Sequence, residues 1–122
     1  MSEQEELNVL AIVGTGLCVA SDDGQKLYEA IAAAFRKGLN VRLSFAGVED
    51  LTSAFLNSAI GQLYSGEFSE EHIRAHLLPP VDLSQEDLLL LKRVVERAKE
   101  FFRNPGPFEQ AARTALGEDD DS

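Results

Sequence analysis

Apolar positions fall into short blocks whose period switches between two and 3.6 residues. From Leu7 to Val13 the run LNVLAIV is β-branched and almost wholly apolar, the pattern of a strand covered on both faces. Gly14-Thr15-Gly16 interrupts it and LCVA follows at 17–20, so the two runs predict a β-hairpin turning on the glycines. Ser21, Asp22 and Asp23 carry short oxygen-bearing side chains suited to capping a helix. Beyond them Leu27, Ile31, Ala34 and Phe35 make one helical stripe, with Gly38 as its stop.

Val41, Leu43 and Phe45 then alternate with Arg42 and Ser44, which predicts a strand with one face inward. A second passage from strand to helix follows: Leu56, Ala59, Ile60 and Leu63 are helically spaced, and Thr52 or Ser53 stands at the cap. Ile73 to Leu77 gives a brief strand, ended by Pro79-Pro80, because proline cannot donate to a sheet ladder. Asp82 or Ser84 opens the longest helix, Ser84 with Asp87 being a capping-box variant, and the apolar face runs through Leu88, Leu91, Val94 or Val95, Ala98 and Phe101 or Phe102. Asn104-Pro105-Gly106-Pro107 stops it, and Phe108, Ala111, Ala112 and Leu116 predict a last short helix.

The order β-β-α-β-α-β-α, with that extra helix, is an α/β fold: a mixed sheet of about four strands packed with three to four helices. The passage from Val41 to Leu77 is a β-α-β crossover, for which parallel, right-handed pairing is the default. Residues 7–117 form one domain, with acidic flexible segments at 1–6 and 118–122.

Composition narrows function by exclusion. Among 122 residues, 44% are hydrophobic and 26% charged, enough apolar side chain for one core. The formal charge of -10 argues against a surface built for nucleic acid or anionic lipid. Much of it lies at the two ends; the stretch between them holds 14 acids against 11 bases. The single cysteine, Cys18, precludes an internal disulfide and fits a reducing cytoplasm. No apolar run reaches the roughly 18–20 residues of a spanning helix.

The segment from Gly16 to Leu63 carries a more specific signal. Its Gly-Leu opening before a Ser-led helix, the strand VRLSF, the adjoining AGVEDLT and the run TSAFLNSAIGQL resemble the bacterial STAS-like domain family of unknown function, with HIRAHLLPP matching more loosely. The same stretch is more remotely similar to anti-sigma-factor antagonists, the true STAS domains. Setting Gly47-Val48 on their Gly-Val pair puts Thr52-Ser53-Ala54 on the loop that carries a phosphorylated serine there. In this chain Ala54 occupies the acceptor position and Thr52 replaces an Asp. Asn57-Ser58 also stands where family members tend to carry acids.

The resemblance implies a small non-enzymatic regulatory module that binds a protein, an ATPase-fold kinase or anti-sigma-like partner. It places the contact on Asp50, Thr52, Ser53 and Asn57 with the adjoining Ser21 and Asp22, and leaves Ser53 as phospho-acceptor. The alternative is a small-ligand module taking a nucleotide or metabolite near the strand ends. Other constellations read as structural. Gly14-Thr15-Gly16 lacks the third glycine of a dinucleotide loop, since Val19 stands there. His72 and His76 would align only on a helix, and their segment reads as a strand with no cysteine nearby. Cys18 sits in an apolar run, and Asp22-Asp23 and Glu70-Glu71 are adjacent acids that do not face one another. No catalytic residue, cofactor or metal is therefore expected, nor a nucleic-acid or membrane partner. The wide apolar arc of Leu88 to Leu91 serves either deep burial or a homodimer contact.

Overall fold

The computed structural model describes residues 3–103. The helix expected at Phe108–Leu116 lies outside them, as does the acidic end. The class is α/β, and its strands pair in parallel. β1 (Gln4–Asn8) runs beside β3 (Asn40–Ser44), with Leu7 opposite Leu43. It begins inside the stretch that composition assigns to a tail, with Glu5 and Glu6 exposed on it. β2 (Leu17–Cys18) pairs with β4 (Asp50–Leu51) in a second ladder.

A third lane lies on the other side of β3. The Leu78 N–H donates to the Val41 carbonyl at 2.8 Å, the Val81 N–H to the Leu43 carbonyl at 2.9 Å, and the Phe45 N–H to the Val81 carbonyl at 3.0 Å. This realises the parallel return predicted after Val41, but the lane is Leu77–Val81 and not Ile73–Leu77. Three residues of the lane advance against two of β3, and Pro79 and Pro80, which have no N–H to offer, fall in the irregular stretch.

Two expected strands are helices. Val9–Val13 forms α1: the Asn8 side chain accepts the Ala11 N–H at 2.7 Å, and Gly14, at φ 92, closes the turn. The predicted hairpin is thus replaced by β1, a one-turn helix and a strand that pairs elsewhere. Glu70–His76 forms α4, where Ser69 accepts the His72 N–H at 3.0 Å and Glu70 and Glu71 occupy the positive end of the helix dipole. Both errors have one cause, since a short apolar run does not distinguish a strand from a buried turn of helix by its own period.

The remaining helices follow their stripes. α2 (Ser21–Arg36) buries Leu27, Ile31, Ala34 and Phe35. It ends on Gly38, whose N–H reaches the Phe35 carbonyl while the Leu39 N–H reaches that of Ala34, the paired bonds of a left-handed stop. α3 (Ser53–Ala59) continues through a 3-10 turn at Gly61–Ser65 and buries Phe55, Leu56, Ala59, Ile60 and Leu63. Full burial of side chains such as Phe55 and Leu56 contributes about 1.5–3 kcal/mol each. α5 (Gln85–Arg103) starts on Ser84, which accepts the Asp87 N–H at 3.1 Å, and buries Leu91, Val94 and Ala98.

Candidate functional site

The parallel β2–β4 ladder sends both of its strands directly into helices. Cys18 lies opposite Leu51, so the starts of α2 and α3 emerge side by side. The Ser58 hydroxyl donates to the Ser21 carbonyl at 2.8 Å, fastening α3 to the first residue of α2. One turn further on, the Gln62 side chain donates to Gln25 at 2.8 Å and to the Ser58 carbonyl at 2.9 Å. The fold thus brings together the two sequence segments expected to share a contact surface.

Individual residues on this face divide into structural and available. Thr52 is the cap of α3: its hydroxyl accepts the Phe55 N–H at 3.2 Å and donates to the Val19 carbonyl at 2.9 Å, while its own N–H bonds the Cys18 carbonyl at 3.2 Å. Such a hydroxyl is committed in both directions. Ser53, one residue on, is exposed, as are Asp50, Asn57, Ser21 and Asp22. Ser21, Asp22 and Asp23 lie inside the first turn of α2 and do not cap it; the cap position is Ala20, which has no side chain to offer. Asp22 and Asp23 favour that end of the helix through its dipole, and Asp23 also pairs with Lys26 at 3.3 Å.

The sequence reading missed an apolar component. Leu17 is 47% exposed and Val19 42% exposed, on either side of the fully buried Cys18. The alternation out, in, out is the strand period, and it was legible in LCV once the segment is read as one face of a ladder. Leu17 stands directly opposite Asp50 in the register, so this apolar pair adjoins the polar residues of the α3 start.

The other candidates remain apart from this face or have no chemistry to offer. Burial, and secondarily the charge of Asp23, pushes the Cys18 thiol up, away from the nucleophilic thiolate. Gly14 ends α1, and Gly16 is approached so closely by the Gly47 carbonyl that a Cβ would lie 2.8 Å from it. His72 and His76, one turn apart on α4, bring their ring centroids to 4.2 Å. The His76 Nδ1–H donates to Asn40 Oδ1 at 2.8 Å, and His72 packs on Phe35 and Phe68 with its Nε2 buried and without a hydrogen-bond partner among the described residues. Burial, and then His76, pull the His72 imidazolium below its usual range. Among the described residues no three His, Cys, Asp or Glu side chains are grouped to hold a metal ion, and no helix is long and apolar enough to cross a membrane.

Parallel strands passing straight into helices that cover them define a small α/β module, and the β2–β4 end gathers the polar residues of the starts of α2 and α3. The chain belongs to the family described as the STAS-like domain of unknown function, whose profile matches residues 23–87, from α2 to the start of α5. No curated protein and no solved structure matches it.

Proposed function

We propose that the protein is a non-enzymatic regulatory module that binds a partner protein through the β2–β4 end and the start of α3. The observation that supports this reading is the exposure of Leu17 and Val19 beside Asp50, Ser53 and Asn57. An apolar pair rimmed by polar groups is the usual composition of a small protein-binding patch. By resemblance that partner is an ATPase-fold kinase or anti-sigma-like protein. Ser53 is the phospho-acceptor candidate: its hydroxyl is exposed on this surface, and a dianion there changes the charge a partner meets without removing the Thr52 cap.

The test is affinity capture of one defined partner with the full chain, followed by the variants Leu17→Ser, Ser53→Glu and Asn57→Arg. Leu89→Ser, which changes an exposed leucine on α5, is the control. The reading requires that the first three reduce recovery at least about tenfold, a loss of about 1.4 kcal/mol or more, while the control does not. Equal recovery from all four removes this surface from consideration.

A further inference from the structure

A cavity of about 360 Å³ opens between α4, the Leu77–Pro80 lane and α5, and it shares no lining residue with the β2–β4 end. This volume is at the small end of those that hold organic ligands. Its floor is hydrocarbon: Leu43 from the central strand, Ile60 from the end of α3, Ile73 from α4 and Leu91 from α5. Pro79 and Pro80 form a wall whose backbone is stiff because both φ angles are fixed by their rings.

Charge at the mouth runs against the sign of the whole molecule. On a chain of net charge -10, three cations gather around the single carboxylate of Glu70. Arg103 occupies both of its oxygens, at 2.6 Å each. That bidentate pair, reinforced by the nearby charges of Lys99 and Arg74, holds the Glu70 carboxyl below its usual range. Arg74 and Lys99 also line the cavity, and neither forms an ion pair with a described residue. Arg74 and Lys99 thus stand above an apolar floor without a close ionic partner among the described residues, with Glu96 near Tyr64 and Arg103 as a further acid of the mouth.

We propose that this groove binds small amphipathic carboxylates, with the hydrocarbon body on Leu43, Ile60, Ile73 and Leu91 and the carboxylate between Arg74 and Lys99. Among the described residues the lining's uncharged polar side chain is the Tyr64 phenol, with no Ser, Thr, Asn or Gln. Inorganic phosphate would meet the same two cations but has no hydrocarbon body to cover the apolar floor, whereas an amphipathic carboxylate answers both parts of the groove. A neutral hydrocarbon would fill the floor and leave both charges unanswered.

The probes are octanoate, octanol and inorganic phosphate, titrated into the isotopically labelled full chain and followed by NMR. Octanoate is expected to shift signals of Ile60, Ile73 and Leu91 with saturation, and octanol and phosphate are expected to shift them at least about fivefold less at equal concentration. The double variant Arg74→Gln, Lys99→Gln changes only side chains at the rim, and its dissociation constant for octanoate is expected to rise at least about fivefold. Octanol binding as well as octanoate, phosphate binding as well as octanoate, an unaffected double variant, or shifts confined to residues away from this groove would each overturn the proposal. A dispersion check that the variant is folded separates loss of binding from loss of structure.

Discussion

Gly24 of α2 meets Phe55 of α3 backbone to backbone: a Cβ placed on Gly24 would overlap the Phe55 carbonyl oxygen and lie 2.8 Å from the Ser58 Cβ. The absence of one methyl group therefore sets how closely the two helices cross, and with it the side-by-side emergence of their first turns. Neither nearby atom is the far end of a flexible side chain, so the helices themselves must separate to admit a methyl.

Gly24→Ala is accordingly expected to destabilise the fold by about 1–3 kcal/mol, although alanine is the better helix former by about 1 kcal/mol. Urea denaturation measures it; a midpoint at or above that of the parent would show that the crossing yields freely.

Thr52→Ala removes both the cap of α3 and the bond to Val19, and an expected loss of about 1–2 kcal/mol follows. Thr52→Ser keeps both oxygen contacts and should recover most of it. Ser53→Ala, on an exposed side chain, should lie within about 0.5 kcal/mol of the parent. Thermal unfolding of the three variants orders them.

The His72 imidazole is harder to protonate in the folded chain than in the unfolded one, because burial and His76 both oppose the charge. The unfolded state then takes up the proton first, so stability falls as pH drops below about 6.5 toward the lower folded value. A second loss follows below the usual carboxylate range, where Glu67 and Glu70 give up bonds to Arg36 and Arg103 that favour their ionised forms. His72→Phe, which fits between Phe35 and Phe68, should flatten the first step and leave the second. Unfolding free energy measured from pH 7 down to about pH 2 distinguishes the two; an unchanged first step in the variant would assign it elsewhere.

Asp82 is the one non-glycine residue among those described with a left-handed backbone, at φ 59, and its carboxylate accepts the hydroxyl of buried Ser44 at 3.4 Å. Asp82→Asn keeps the tolerance for this conformation and should cost little, whereas Asp82→Val adds a β-branched clash and is expected to cost about 1–3 kcal/mol. Chemical denaturation of the pair checks the ordering.

The helix stripes of α2, α3 and α5, the Thr52 and Ser84 caps and the Gly38 stop were all legible in the chain, because each depends on neighbours three or four residues away. The helix start after Thr52 was legible too, but β4 (Asp50–Leu51) was not: two residues carry no period, and the segment reads as a loop after the strand at Val41–Phe45. α4 was partly legible: Ser69 before Glu70 and Glu71 is a helix-start signal, outweighed in the reading by the apparent alternation of Ile73 to Leu77. Val9–Val13 had no decisive signal of its own, since its Asn cap and Gly stop suit a turn equally well.

What the amino-acid order determined by itself was local: where helices begin and end, which side of each is apolar, and membership of an α/β class. Tertiary structure alone decided partnership. Parallel pairing of β2 with β4, return of the chain along β3 at Leu77–Val81, and the placing of Arg74 and Lys99 on one cavity with an apolar floor all join residues distant in sequence. Such contacts form only when burial of the whole core repays the entropy of closing the loops between them, and no short window of sequence carries that balance.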